Sequence, residues 1–251
     1  MATQAVTVHG DENEGVLRRP SRRTATVVGV LLISCSVASL LSALPLGSML
    51  DSPVDLTRLA AHDDRLVLAA LIEFVAAATG AGIAIALYPV LRDYGRAMAF
   101  GAAAARVVAG VLVLVGTLSL LALLTLAQET VTSGSTDSAA NDASVQVLLA
   151  GRDWGANFMV SMPFLLGAGM YYYLMYRSAI VPRWLSSWGL LGVVVSLAAT
   201  LYAGFTQDFG LATLSTALNV PIGLQEMVLA VWLIAIGFNR VPQLPPAESR
   251  A

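Results

Sequence analysis

Ala97–Ala127 reads AMAFGAAAARVVAGVLVLVGTLSLLALLTLA. This run holds one charge, Arg106, and no proline. It is continuously apolar rather than alternating, which excludes the strands of a membrane β-barrel. It also exceeds the ~20 residues a helix needs to cross ~30 Å of hydrocarbon. In lipid each backbone N–H must find its partner inside the segment, so the run predicts a transmembrane helix.

Five more runs of this kind surround it. The six spans expected are Thr24 to about Leu46, Leu66 to about Leu91, about Ala97 to Ala127, about Trp154 to Tyr176, Trp188 to about Phe205, and about Leu218 to Phe238. The composition agrees: 57% of residues are apolar and 12% charged, too few charges to cover a soluble protein of this length. The net charge of −2 leaves no basic field for nucleic acid. The fold class is therefore all-α, a polytopic integral membrane protein with a bundle of six transmembrane helices.

Every basic residue is Arg, and the arginines set the orientation. Arg18, Arg19, Arg22, Arg23, Arg92, Arg96, Arg177, Arg183, Arg240 and Arg250 lie on one side, and only Arg58, Arg65 and Arg152 on the other. The positive-inside rule then places both termini in the cytoplasm. The expected organisation is a flexible cytoplasmic tail over residues 1–23, a transmembrane domain over 24–238 and a short cytoplasmic tail over 239–251. Outside, Gly47–Arg65 reads as an acidic loop. Gln128–Asp153, with TSGSTDSAANDAS at its centre, reads as a mobile polar loop. Tyr171, Tyr172, Tyr173 and Tyr176, with Trp154, Trp184 and Trp188, read as interfacial anchors.

Three charges fall inside spans: Glu73, Arg106 and Glu226. A charge at that depth costs at least a few kcal/mol, so such residues face the bundle and take partners. Each shares its helical face with small residues, the mark of helix–helix contact in membranes. The faces carry Ala69, Ala70, Ala76, Ala77 and Gly80 for Glu73, Ala99, Ala102, Ala103, Ala109 and Gly110 for Arg106, and Asn219, Gly223 and Ala230 for Glu226. The expectation is one buried Glu73–Arg106–Glu226 cluster, either an ion-pair lock for packing or a site for a polar solute or a proton. A second line, Asp153, Asn157 and Ser161, repeats every four residues below Trp154 and is either the lining of an outer vestibule or a set of interhelical hydrogen bonds. Pro163 then interrupts that helix.

Chemistry beyond this is sparse. No span contains His, which removes the His-bearing zinc motifs and a His general base. The lone Cys35 forms no internal disulfide or multi-Cys site. Neither a metal site nor a cofactor is expected, and an enzyme ranks last among the readings.

Tyr172–Gly192, YYLMYRSAIVPRWLSSWGLLG, resembles the inner hairpin of a bacterial multi-pass membrane family, domain of unknown function 4386. The closing QEMVLAVWLIAIGF (Gln225–Phe238) resembles its last segment, and ALYPVLR (Ala86–Arg92) followed by Arg106 fits as well. The likeness runs from about Arg23 to Phe238. It implies an uncharacterised protein of the bacterial inner (cell) membrane and places Arg106 and Glu226 at motif positions, but not Glu73. Where the family often carries Lys before the final Gly, this chain has Ile236. Two roles follow: binding or transport of a small solute or lipid through the Glu/Arg cluster, or a structural or accessory role in which the cluster only locks packing. The bilayer is the partner expected in both.

Overall fold

The structure is a computed structural model that describes residues 17–18, 21–46, 49–50, 54–133, 138–207, 214–239 and 241–242. Six of its helices are long and apolar enough to span a membrane. The helices are α1 (Arg22–Leu41), α2 (Leu56–Ala61), α3 (Asp63–Leu91), α4 (Arg96–Ser133), α5 (Ser138–Arg152), α6 (Val160–Ser178), α7 (Arg183–Thr206) and α8 (Leu214–Ala235). A seven-residue π-helical stretch, Asp153–Met159, joins α5 to α6. Pro163 has no N–H to donate to the Met159 carbonyl, and the helix is wider in the turns just before it.

The spans form a closed ring. α1 packs on α3, α3 on α4, α4 on α6, α6 on α7, α7 on α8, and α8 returns to α1. Short connections make neighbours antiparallel. Small residues let the backbones approach: a Cβ on Gly110 would lie 3.2 Å from the Ala77 carbonyl oxygen, and one on Gly167 would lie 3.0 Å from that of Ala102. The outer surface is apolar, as lipid contact requires, with Phe100, Leu118, Leu191 and Val194 more than 60% exposed.

The first and last described segments meet on one side. The Arg22 guanidinium donates to the carbonyls of Ile234, Ala235 and Ile236 at 3.4, 3.0 and 3.4 Å, capping α8. Just outside α1, strand β1 (Leu17–Arg18) pairs antiparallel with strand β2 (Val241–Pro242). The rest of the two expected tails, residues 1–16, 19–20, 240 and 243–251, lies outside the described residues. The α6–α7 hairpin is folded into the core rather than left in solvent. Ile180 and Val181 are buried, and Asn239 donates to the carbonyls of Ile180 and Ala179 at 2.7 and 2.9 Å.

The far side departs from expectation. Gln128–Asp153 is not a loop: α4 runs on to Ser133 and α5 covers Ser138–Arg152, leaving residues 134–137 outside the described residues. Composition suggested a loop, but Val145, Leu148 and Leu149 recur at helical spacing and pack with Leu120, Leu123 and Leu124 of α4. Gly47–Arg65 is likewise partly helical, as α2 and the first turn of α3. Leu46, Met49 and Leu59 join the same apolar cluster. The molecule thus has two apolar cores, this cap and a larger one on the terminal side around Leu87, Ala102, Tyr172 and Leu233. Along α3 and α4, Glu73, Arg106 and Thr117 fall between residues of the two cores, whereas Ser186 and Gln225 adjoin the terminal-side one.

The tyrosines split as well. Tyr173 and Tyr176 are exposed as anchors should be, but Tyr171 and Tyr172 are buried in the terminal-side core. A helix that ends at the interface still has an inward face, and these two rings occupy it.

Candidate functional site

The expected three-charge cluster divides into two. Glu73 does not reach Arg106. Its Oε1 accepts from Arg152 Nη2 at 2.6 Å, and its Oε2 accepts from the Thr117 hydroxyl at 2.6 Å. The register explains the split. Antiparallel packing of α3 on α4 puts Glu73 beside Thr117, eleven residues past Arg106. At 1.5 Å per residue that is about 16 Å along α4, beyond the reach of an Arg side chain. Arg152 closes the distance from the end of α5. The polar composition of 128–153 predicts an outer loop for it, whereas α5 makes it helical. The available signal was the Val145–Leu149 spacing that makes α5 a helix and carries Arg152 inward.

This Glu73 carboxylate is saturated, although Arg152 Nη1 is buried with no hydrogen-bond partner among the described residues. Both carboxylate oxygens are engaged, and the side chains of Arg152 and Glu73 are 16% and 10% exposed. Measured along α4 from Arg96, Thr117 lies about 31 Å in, at the far edge of ~30 Å of hydrocarbon.

Arg106 lies about 15 Å along the same helix, near the middle of the hydrocarbon. The geometry does bring Glu226 to it: Arg106 Nη2 is 3.9 Å from Glu226 Oε1. That is an ion pair but not a hydrogen bond. Arg106 is 2% exposed, and among the described residues none of its three nitrogens has a hydrogen-bond partner. Buried polar groups in folded proteins are nearly always paired, by protein or by water. Arg106 has instead two aromatic rings, with its guanidinium carbon 4.0 Å from the Phe164 centroid and 5.7 Å from that of Tyr171. The Tyr171 hydroxyl donates to Glu226 Oε1 at 3.4 Å.

A support sits behind this pair. The Tyr172 hydroxyl donates to Gln225 Oε1 at 2.5 Å, and Gln225 Nε2 donates to the Leu185 carbonyl at 3.1 Å. The two tyrosine rings meet edge to face at 4.4 Å. Gly189 makes room for the Tyr172 ring, since a Cβ there would lie 2.7 Å from it. Gln225 is fully buried and tethers α8 to α6 and α7, which holds Glu226 toward Arg106. It was legible only as a polar residue beside Glu226 inside an apolar span.

One side of the pair is open. The Glu226 side chain retains 12% exposure. On α8 one turn nearer the cap, a Cβ on Gly223 would meet nothing within 4 Å.

The second expected line does not form a single α-helical face. Asp153 opens the π-helical stretch, where the turn is wider and the i, i+4 spacing no longer superposes residues. Asp153 and Ser161 are half-buried, and the side chain of Asn157 lies outside the described residues. Among the described residues there is no group of three or more His, Cys, Asp or Glu side chains able to hold a metal.

The family model described as "Domain of unknown function (DUF4386)" matches residues 27–237. No curated protein and no solved structure matches the chain.

Proposed function

The chain belongs to the family described as domain of unknown function 4386, a description that assigns no activity, and from the geometry of the site we propose that it is a binding or transport protein for a small polar solute, with Arg106 and Glu226 as the site. A single observation carries this reading: Arg106 is buried near mid-membrane with none of its nitrogens hydrogen-bonded. Charge-assisted hydrogen bonds are the strongest a side chain makes, and an arginine whose only task was packing would use them. Arg152 makes one such bond, to Glu73, though its Nη1 is buried without a partner among the described residues, whereas Arg106 makes none. For Glu73 the structural reading is the better one, a lock between the cap and the bundle. We assign the solute's route to the cap side of α8, where Gly223 borders open space and Glu226 keeps some exposure. The membrane is assigned as the bacterial inner membrane with both termini cytoplasmic, which the ten-to-three Arg bias supports, and 24–238 as the transmembrane domain.

The test is solvent access. In a Cys35→Ser background, Gly223→Cys in vesicles should react with a membrane-impermeant methanethiosulfonate, because such reagents need water around the thiol. Complete protection of that Cys from both sides of the membrane would close the route and remove the reading.

A further inference from the structure

The site just proposed holds one fixed cation and one carboxylate, and whatever else faces them is uncharged. Around Glu226 stand Arg106 from α4 and the Tyr171 hydroxyl from α6. Tyr172 meets Tyr171 edge to face, and Cys35 of α1 lies within electrostatic reach of both charges. α7, the other neighbour of α8, carries no charge beyond Arg183 at its first residue, and its Tyr202 is exposed. Glu73 of α3 is engaged elsewhere by Arg152.

Net charge is costly in such surroundings, far more than a neutral pair. Two states keep the site neutral. In one, Arg106 faces the Glu226 carboxylate. In the other, a monovalent anion lies on Arg106 and Glu226 carries a proton. The guanidinium is built for the second state as well as the first. Its five N–H donors form a planar fork that matches the spacing of oxyanion oxygens. The Phe164 ring covers it from one direction, and none of its nitrogens is committed. Glu226 stands 3.9 Å off, too far to hydrogen-bond yet near enough to compete by charge. An anion entering without a proton would leave two negative charges against one positive. An anion entering with one meets a neutral carboxyl whose O–H adds a donor, beside that of Tyr171.

Resting on the proposed site, we propose that it takes up one small monovalent oxyanion together with one proton, the anion on Arg106 and the proton on Glu226. The proton comes from water and is held on the Glu226 carboxylate while the anion is bound. It leaves with the anion, and the Arg106–Glu226 pair re-forms. One proton linked to each anion makes affinity fall about tenfold per pH unit wherever empty Glu226 is ionised.

The full chain in lipid nanodiscs, with nitrate and acetate as probes between about pH 6 and 8, tests this. Neither probe titrates there. In weak buffer, each anion bound should withdraw one proton from solution, read by an indicator dye, and binding should weaken tenfold per pH unit. Arg106→Gln should bind neither probe. Because that variant can fail to fold, Glu226→Gln is decisive. Its neutral amide mimics the protonated carboxyl, so it should bind anions with no pH dependence and no proton uptake, a result misfolding cannot imitate. Binding by the wild type without proton uptake overturns the proposal, as does a folded Glu226→Gln that binds neither probe. If neither probe binds at any pH while the Cys at position 223 is labelled, the proton–anion pairing falls and the open site stands. If that Cys is also protected, both fall.

Discussion

Glu73 and Arg106 look alike in the sequence: single charges in apolar spans, each on a face of alanines and glycines. Their surroundings differ. Glu73 has two 2.6 Å contacts, to Arg152 and Thr117, about 31 Å along α4 and beneath a cap with its own apolar core. Arg106 has a 3.9 Å ion pair, two aromatic rings and no hydrogen bond, halfway along the same path. A closed pair fixes two elements against each other, here α5 against α3 and α4. An open pair leaves donors that something else can use. The difference teaches that depth and partner geometry, more than the presence of a buried charge, separate a lock from a site.

That contrast breaks most readily at its strong end. Glu73→Ala leaves Arg152 without its carboxylate, and unfolding in mixed micelles should become about 3 kcal/mol easier. Glu73→Leu with Arg152→Leu should recover most of the loss, since an apolar pair replaces a buried ion pair at little cost. Glu226→Gln likewise leaves a buried charge, that of Arg106, without its carboxylate, but there added nitrate should restore stability, because an anion on Arg106 makes the site neutral again. Equal losses at the two positions that nitrate does not relieve would make both pairs locks.

The glycines sharpen the same contrast with a smaller effect. Gly189→Ala pushes a methyl into the Tyr172 ring and so disturbs the bond to Gln225. Overpacking of this kind should cost about 2 kcal/mol. Gly223→Ala, beside the open space, should change stability by less than about 0.5 kcal/mol. A large loss there would mean that α8 is tightly covered at that turn.

The smallest effect lies in the cap. Asp55 accepts from the Thr57 hydroxyl and from the backbone N–H groups of Thr57 and Arg58, capping α2. The Thr57 hydroxyl foremost, then the Arg58 amide, holds its carboxyl below the ordinary Asp value. A carboxyl with a lowered folded-state pKa stabilises above the unfolded value and loses that contribution as pH falls through the folded one. Amide protection in α2, measured against the intrinsic exchange rate at each pH, should therefore fall on acidification below about pH 4, the ordinary Asp range. In Asp55→Asn that loss of protection on acidification should vanish. Unchanged protection in the wild type would show that the cap core alone holds α2.

Much of the frame was legible. Six spans and inward faces for Glu73, Arg106 and Glu226 followed from run length, small-residue periodicity and the cost of charge in lipid. Tyr171 and Tyr172 were misjudged because an aromatic near a helix end looks the same whether it faces the interface or the bundle. The 128–153 segment was misjudged because its Ser, Asn and Asp content outweighed three apolar residues at helical spacing.

The sequence by itself determined that this chain lives in a bilayer, since hydropathy and run length are local sums. It also named the charges whose burial would need a reason. Which charge meets which was decided only by the tertiary structure. Partnership depends on the register of antiparallel helices, and a few residues of slide along α4 is several ångströms, the margin between a 2.6 Å contact and none. Register comes from close approaches such as Gly110 to Ala77. Those approaches exist only once the helices have packed.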